Sequence, residues 1–330
     1  MIQALKSDLT SKDLAAKLFG QDTYMYKYIM MPNRAKWKKL LPLSKNSIVV
    51  DLGCGWGALP LELSKVVKRV IAFDSTLETL QFMEKRLQEE KINNIELNCI
   101  DSLAKSNIPL PSNSVDFVIL NGVLEWVAKG TNENPEKIQK KVLAEITRIL
   151  KPNGILITAI ENRYGFPYFC GFPDEHTVTN ISEEQLKYTT ILPRFFSNWL
   201  MQKKKKQKYE TYTYSYKKYL RIFKATGLQY TRSFAPIPDY RFPQSFIPID
   251  GKFYQKNNKK LDLYFSLKNK NDMNELFKKD VNWFFKLLPK LYYWYLTILK
   301  KHNLSYHYFL FLSYKEKDAL NLDYNKILKV

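Results

Sequence analysis

The residues with the plainest chemical potential are Asp51-Leu52-Gly53-Cys54-Gly55-Trp56-Gly57, directly after the apolar run Ile48-Val49-Val50. Glycines at a strand-to-helix corner can take positive φ and let the backbone approach a ligand with no Cβ in the way. Amides at the start of the following helix then favour a carboxylate or a phosphate. The spacing is G-x-G-x-G, which departs from the G-x-G-x-x-G of dinucleotide corners, and the chain has no G-x-x-x-x-G-K-[ST] for a nucleoside triphosphate. Asp74 ends the next apolar run, followed by Ser75, and a carboxylate there can accept two ribose hydroxyls. Further polar groups follow later apolar runs: Asp101 and Ser102, Asn121, Glu125 and Glu161. His176 lies in Pro173-Asp174-Glu175-His176-Thr177. Histidine titrates near neutrality and suits proton removal, as does a carboxylate on a reactive edge, so Glu125, Glu161 and His176 are the candidate catalytic groups. Each of the three also has a plainer reading, as a pocket-lining, capping or loop residue. Cys54, Cys99 and Cys170 have no metal spacing, so no metal centre is expected, and Cys54 reads as a small packing residue.

These residues need a scaffold, and the sequence supplies one. Strands are expected at 47–52, 69–73, 94–100, 115–122 and 155–160. Helices are expected at 58–68, 76–91 and 135–150, the second with Leu77, Leu80, Met83 and Leu87 at three- and four-residue spacing. Pro152-Asn153-Gly154 reads as a turn before the fifth strand. Alternating strand and helix implies right-handed crossovers and an α/β, doubly wound, mostly parallel sheet. Ligands of such sheets bind outside the carboxyl ends of the strands, where the polar groups fall.

Past residue 161 the pattern changes. Residues 161–200 show no clear period, and Lys203-Lys204-Lys205-Lys206-Gln207-Lys208 is a basic run. Residues 211–227 begin as alternating tyrosines and become a helix that stops at Gly227. A sixth strand is expected at 228–235 and a closing strand at 306–315. The expected organisation is an N-terminal helical segment over the pocket (1–46), a ligand-binding core (47–160) and a substrate-side insertion (161–212). The last core helix and sixth strand (213–235) come next. A Pro-rich loop and aromatic lid helix (236–305), the closing strand (306–315) and a tail (316–330) complete it. The aromatic, basic insertions would form a substrate cap.

Taken in order, the motifs resemble the class I S-adenosylmethionine-dependent methyltransferases, and in particular the methyltransferase type 11 domain. Asp51–Gly57 is similar to that family's first motif. Asn121-Gly122-Val123-Leu124-Glu125-Trp126 resembles its segment after the fourth strand. Ile149-Leu150-Lys151-Pro152-Asn153-Gly154 resembles its late turn, with Asn153 where the first glycine usually stands. The resemblance covers roughly residues 45–160. It implies a Rossmann-like methyltransferase fold with S-adenosyl-L-methionine as cofactor, bound by Asp51, Gly53, Gly55, Gly57, Asp74, Ser75, Asp101, Ser102 and Asn121. A second resemblance, in 161–165, 174–177, 212–216 and 238–243, is to a bacterial methyltransferase subgroup linked to glycan and cell-envelope synthesis. It implies a sugar, glycolipid or lipid-linked substrate, and the expected acceptor is a small molecule or an envelope glycan or lipid precursor.

The formal charge of +20 is uneven. Residues 1–160 hold 22 Lys+Arg against 17 Asp+Glu, and residues 161–330 hold 30 against 15. A basic second half attracts anionic partners, so an RNA methyltransferase is a rival reading. A catalytically silent binding subunit is another. No stretch approaches the roughly 20 apolar residues of a spanning helix, and no secretory signal opens the chain, so the expected location is the cytoplasm. Aromatic residues with basic flanks leave open peripheral contact with the inner membrane face.

Overall fold

The computed structural model describes residues 8–105, 107–177, 185–250 and 306–320, together with positions 291, 294, 295 and 298. The chain builds β1 (Ile48–Leu52), β2 (Arg69–Asp74), β3 (Ile95–Cys99), β4 (Val115–Asn121), β5 (Leu150–Glu161), β6 (Pro173–Asp174) and β7 (Leu186–Lys187). It continues with β8 (Tyr230–Ile237), β9 (Ser245–Pro248) and β10 (Tyr308–Tyr314). β6 and β7 form a small pair, and the other eight make one sheet in the order β3-β2-β1-β4-β5-β10-β8-β9. β1 to β5 run parallel to one another, whereas β10 runs antiparallel to both β5 and β8. The mostly parallel, doubly wound architecture expected from the motif order is the one observed.

Period-two alternation decides which side chains face which layer. Val50, Leu52, Ile71, Phe73, Val118 and Leu120 point to the layer containing the Pro135–Ile149 and Tyr216–Ala225 helices. Their neighbours Val49, Val70, Phe117 and Ile119 face the layer with Trp37, Leu59 and Leu63. The Pro135–Ile149 helix starts cleanly because Asn134 accepts the amides of Glu136 and Lys137, with Pro135 at the first helical position. Strand order reverses between β1 and β4, and the glycine corner sits at that switch point.

Four expectations needed adjustment. The helix expected over 58–68 ends at Ser64, where the Val66 and Val67 amides both turn back onto the Leu63 carbonyl. Pro152-Asn153-Gly154 is a bulge inside β5 instead of a turn before it. Val115 pairs with Leu150 and Phe117 with Ile155, so the ladder closes on both sides of the excursion. The segment 161–212 contains an Arg194–Lys205 helix that takes up the start of the lysine run. Its large apolar residues Phe195, Phe196 and Trp199 are exposed, and only Ser197 and Met201 are buried, so no inward apolar stripe marks it. The Pro-rich loop contains β9, which adds an antiparallel edge strand to β8. Of the expected aromatic lid helix, Leu291, Trp294, Tyr295 and Ile298 are described, and they are helical and exposed; the rest of it and most of the C-terminal tail lie outside the described residues.

The N-terminal helices Ser11–Phe19 and Tyr24–Met30 are tied to the Leu77–Glu89 helix. The Ser11 amide and hydroxyl donate to Glu89, and Arg86 donates to the Ile29 carbonyl. Among the described residues, no helix is long and apolar enough to cross a membrane.

β10 is buried along its whole length, and Phe311 packs against Tyr216, Tyr219 and Phe223. Removing such a ring leaves a cavity costing about 3–5 kcal/mol. Phe311→Ala should lower the stability measured by urea unfolding by that amount. A loss under about 1 kcal/mol would mean this joint does not hold the second half of the sheet.

Candidate functional site

The corner after β1 folds over the end of β2. The amides of Gly53 and Cys54 both donate to the Phe73 carbonyl, at 2.8 and 3.0 Å. Gly55 donates to Asp74 Oδ2 at 2.7 Å, while Asp74 Oδ1 accepts the Thr76 amide at 2.9 Å. Asp74 therefore fixes both the loop and the start of the next helix. Gly55 has φ +51°, and a Cβ there would meet no atom of the described residues within 4 Å. A Cβ on Gly53 would lie 2.5 Å from Val123 Cγ2, because the loop after β4 presses against it. Trp56 packs edge-on against Phe19 and Phe82, which joins the corner to the N-terminal helices.

Two buried polar groups point at no partner among the described residues. Both carboxylate oxygens of Asp51 are unpaired, and so are both amide atoms of Asn121. Burial pushes the Asp51 carboxyl up to about 7; Arg34 opposes this and Asp74 reinforces it. Buried polar groups normally find partners, so this pair marks a place where a ligand would supply them. Ser75 and Asp101 are exposed in the turns after β2 and β3, and Ser102 accepts the Ala104 amide at 3.2 Å. The nine residues expected to bind the cofactor thus all sit on the carboxyl ends of β1 to β4 or just beyond.

The three catalytic candidates, far apart in the chain, meet. One donor atom from each of Glu125, Glu161 and His176 lies within 4.8 Å of the others. Each is placed by a different element. Glu125 follows β4, and its carbonyl accepts the Tyr212 amide at 2.9 Å. Gln139 braces the same turn by donating to the Leu124 and Tyr212 carbonyls. Glu161 ends β5 opposite Tyr308 of β10, and its carbonyl accepts the Tyr219 hydroxyl. His176 lies in the Glu175–Thr177 turn with its ring edge against Trp126.

His176 Nδ1 is 3.0 Å from Asp174 Oδ1, and its Nε2 is 3.6 Å from Glu161 Oε1. Asp174 is fully buried, yet it also accepts the hydroxyls of Thr189 and Tyr209 at 2.7 Å each. Burial alone would raise this acid, but bonds from His176, Thr189 and Tyr209 outweigh that and hold it near 2. Burial opposes charge on His176 as well, and Glu161 and Asp174 overcome it, raising the imidazole to about 10. Burial and the neighbouring Glu161 push Glu125 well above the usual carboxylate range. Burial likewise raises Glu161.

Sequence reasoning assigned no role to Tyr240 and Arg241, although their segment was singled out. The Tyr240 hydroxyl donates to Glu161 Oε1 at 3.1 Å and also sits against Gly122. Arg241 pairs with Glu175 and donates to the Tyr308 hydroxyl. Contacts thus run from Gly53 through Val123 and Gly122 to Tyr240 and the Glu161 cluster. No linear signal pointed to Arg34, whose importance comes from facing Asp51.

This corner, switch point and acid pair define a methyltransferase-type α/β domain. Residues 50–158 match the profile of the family described as a methyltransferase domain, and that stretch is such a domain, with S-adenosylmethionine as its cofactor. An uncharacterized protein of Rickettsia prowazekii is 24% identical over 116 residues, 34% of this chain and 42% of its own length. A tRNA (guanine-N(7)-)-methyltransferase of Lactococcus lactis is 28% identical over 123 residues, 37% of this chain and 56% of its own. The chain thus spans about half the length of these curated relatives. Among solved structures, a Haemonchus contortus phosphoethanolamine N-methyltransferase 2 has 16% identity and TM-score 0.48, covering 94% of this chain and 61% of its own.

The elevated Asp51 acid gives a signed expectation. Its folded value lies above the roughly 3.9 of an unfolded chain. Its contribution to the stability of the free protein is therefore full below about pH 4 and lost as pH rises through about 7. A ligand ammonium would favour the ionised form. S-adenosylhomocysteine should therefore bind more tightly at about pH 8 than at about pH 6, with proton release. Calorimetry in two buffers of different ionisation enthalpy measures both effects, and Asp51→Asn should abolish both. Flat affinity in the unaltered protein would show that Asp51 meets no cation of the ligand.

Proposed function

We propose that the chain transfers a methyl group from S-adenosylmethionine to a small polar acceptor held against Glu125, Glu161 and His176. The acceptor is a small molecule or the sugar end of an envelope glycan or lipid precursor. The observation that carries this reading is the convergence of those three buried side chains beside the glycine corner.

When bound, the cofactor supplies an activated methyl on a sulfonium, so the protein's work is placement. The acceptor atom must stand about 3 Å from the methyl carbon, in line with the departing sulfur. Asp51, Asn121 and Asp74, with no Cβ at Gly55, fit the polar ends of a nucleoside amino acid. On the acceptor side, the Glu125 and Glu161 oxygens accept a hydroxyl or amine hydrogen and orient its lone pair. The new bond to carbon forms as the carbon–sulfur bond breaks, its electron pair stays on sulfur, and the acceptor's proton leaves toward the carboxylates.

Electrostatics favour such an acceptor over RNA. Among the described residues, Glu125, Glu161, Asp174 and Glu175 gather around two cationic side chains, His176 and Arg241, so the site is locally acidic within a chain of charge +20. A phosphate brought there would meet like charge. The relatives include both a tRNA methyltransferase and a wheat phosphoethanolamine N-methyltransferase, whose acceptors both carry phosphate, so the preference for an uncharged or cationic acceptor rests on the pocket alone.

A labelled-methyl assay on lysate separated into lipid, glycan, RNA, protein and small-molecule fractions tests this. Label should enter the small-molecule or the glycan and lipid fractions. Glu161→Gln should lower kcat by about 100-fold or more, with S-adenosylhomocysteine affinity within about threefold. Asp74→Ala should instead weaken that binding by about 1–3 kcal/mol. Label confined to RNA, or full turnover by Glu161→Gln, would overturn the reading.

A further inference from the structure

We infer that Glu125, Glu161 and His176 form a binding site for a divalent first-row metal ion. The role of such an ion in methyl transfer rests on the function proposed above; its binding does not.

Four observations point the same way. First, the donor atoms are grouped: His176 Nε2 and Glu161 Oε1 are 3.6 Å apart, and the whole set lies within 4.8 Å. Donors around an ion with bonds of about 2.0–2.3 Å stand about 3–3.5 Å from one another. Modest side-chain rotation would close the set to that spacing. Second, apart from the contact of the two carboxyls with each other, both oxygens of Glu125 and Oε2 of Glu161 are buried and have no hydrogen-bond partner among the described residues. Both side chains have no exposed surface, so solvent does not satisfy these oxygens.

Third, His176 is already arranged as a ligand. Its Nδ1 is held by Asp174, which Thr189 and Tyr209 fix in turn. That leaves Nε2 turned toward the glutamates, the carboxylate–histidine–metal pattern in which an outer acid sets tautomer and ring angle. Fourth, the charges balance. Arg241 is bonded to Glu175 and Tyr308 and acts on Glu161 only through space. An ion would displace the proton that Glu161 and Asp174 hold on His176, and two carboxylates, the resulting neutral imidazole and a doubly charged cation sum to zero.

The donor set narrows the ion. Two carboxylates with one imidazole suit manganese, iron(II) or zinc better than magnesium or calcium, which prefer all-oxygen shells. Three protein ligands leave coordination positions open. An acceptor oxygen bound there would become more acidic and a better nucleophile. The ligands stand at 125, 161 and 176 on three separate elements, so no spacing motif in the sequence could show them.

The test titrates chelator-treated, dialysed full-length protein with Mn2+ alone, read by calorimetry and by loss of the free Mn2+ electron-spin signal. Zn2+ and Fe2+ are titrated in parallel by calorimetry. One saturable site is expected, weakened at least tenfold by Glu125→Gln and by His176→Gln. Asp174→Asn, which removes only the outer acid, should weaken it about 10- to 100-fold. S-adenosylhomocysteine binding within threefold of the unaltered protein shows that each variant is folded. No saturable binding of any of the three ions to the unaltered protein overturns the inference, as does undiminished affinity in the folded variants. Ion binding without S-adenosylhomocysteine binding would sink the proposed function and leave the metal site standing. The reverse outcome would sink the metal site alone.

Discussion

The constraint that shapes this molecule is the placing of several carboxylates inside a protein whose net charge is strongly positive. Burying an ionised acid is costly unless hydrogen bonds or an opposite charge compensate it. The chain answers this differently at each acid. Asp174 gathers donors from His176, Thr189 and Tyr209 and stays ionised. Glu175 takes Arg241. Asp51, Glu125 and part of Glu161 are left without partners among the described residues, and these lie where a ligand would arrive. Stability is given up at these groups, and the surrounding structure is built to hold them there.

The second half of the chain makes sense on this basis. It contributes little to the parallel part of the sheet, yet it supplies His176, Asp174, Tyr240, Arg241 and Tyr308. The β6–β7 pair and the Glu175–Thr177 turn present the histidine. The 239–242 loop brings a tyrosine to Glu161 and an arginine to Glu175. Among the described residues, Lys203, Lys204 and Lys205 stand in the last turn of the Arg194–Lys205 helix. Net charge and local charge thus differ: the chain is basic on average, while four acids gather around His176 and Arg241.

Much of the scaffold was legible because it rests on short-range patterns. The runs at 48–52, 69–74 and 115–121 are apolar for the length of a buried strand, and the helix at 135–149 carries its cap and its stripe within itself. Glu125 and Glu161 were legible as acids just past strand ends. His176 was legible only by residue type, and its meeting with the glutamates depends on contacts across the fold. β9 and the Arg194–Lys205 helix were missed for a related reason. The first is a strand because β8 offers it an edge, and the second turns its aromatic residues outward. Arg34 and Tyr240 have their importance through what they face, which spacing along a chain does not encode.

The sheet order carries a consequence for how the protein comes into being. β10 follows every other strand in sequence, yet it lies between β5 and β8, and its Tyr308 stands opposite Glu161. On the ribosome, residues up to Asn121 emerge first and hold all that the glycine corner requires. Glu161 gains its partner across the sheet only once Tyr308 has been translated. A nascent chain would thus gain the means to hold a methyl donor well before it could present anything to be methylated.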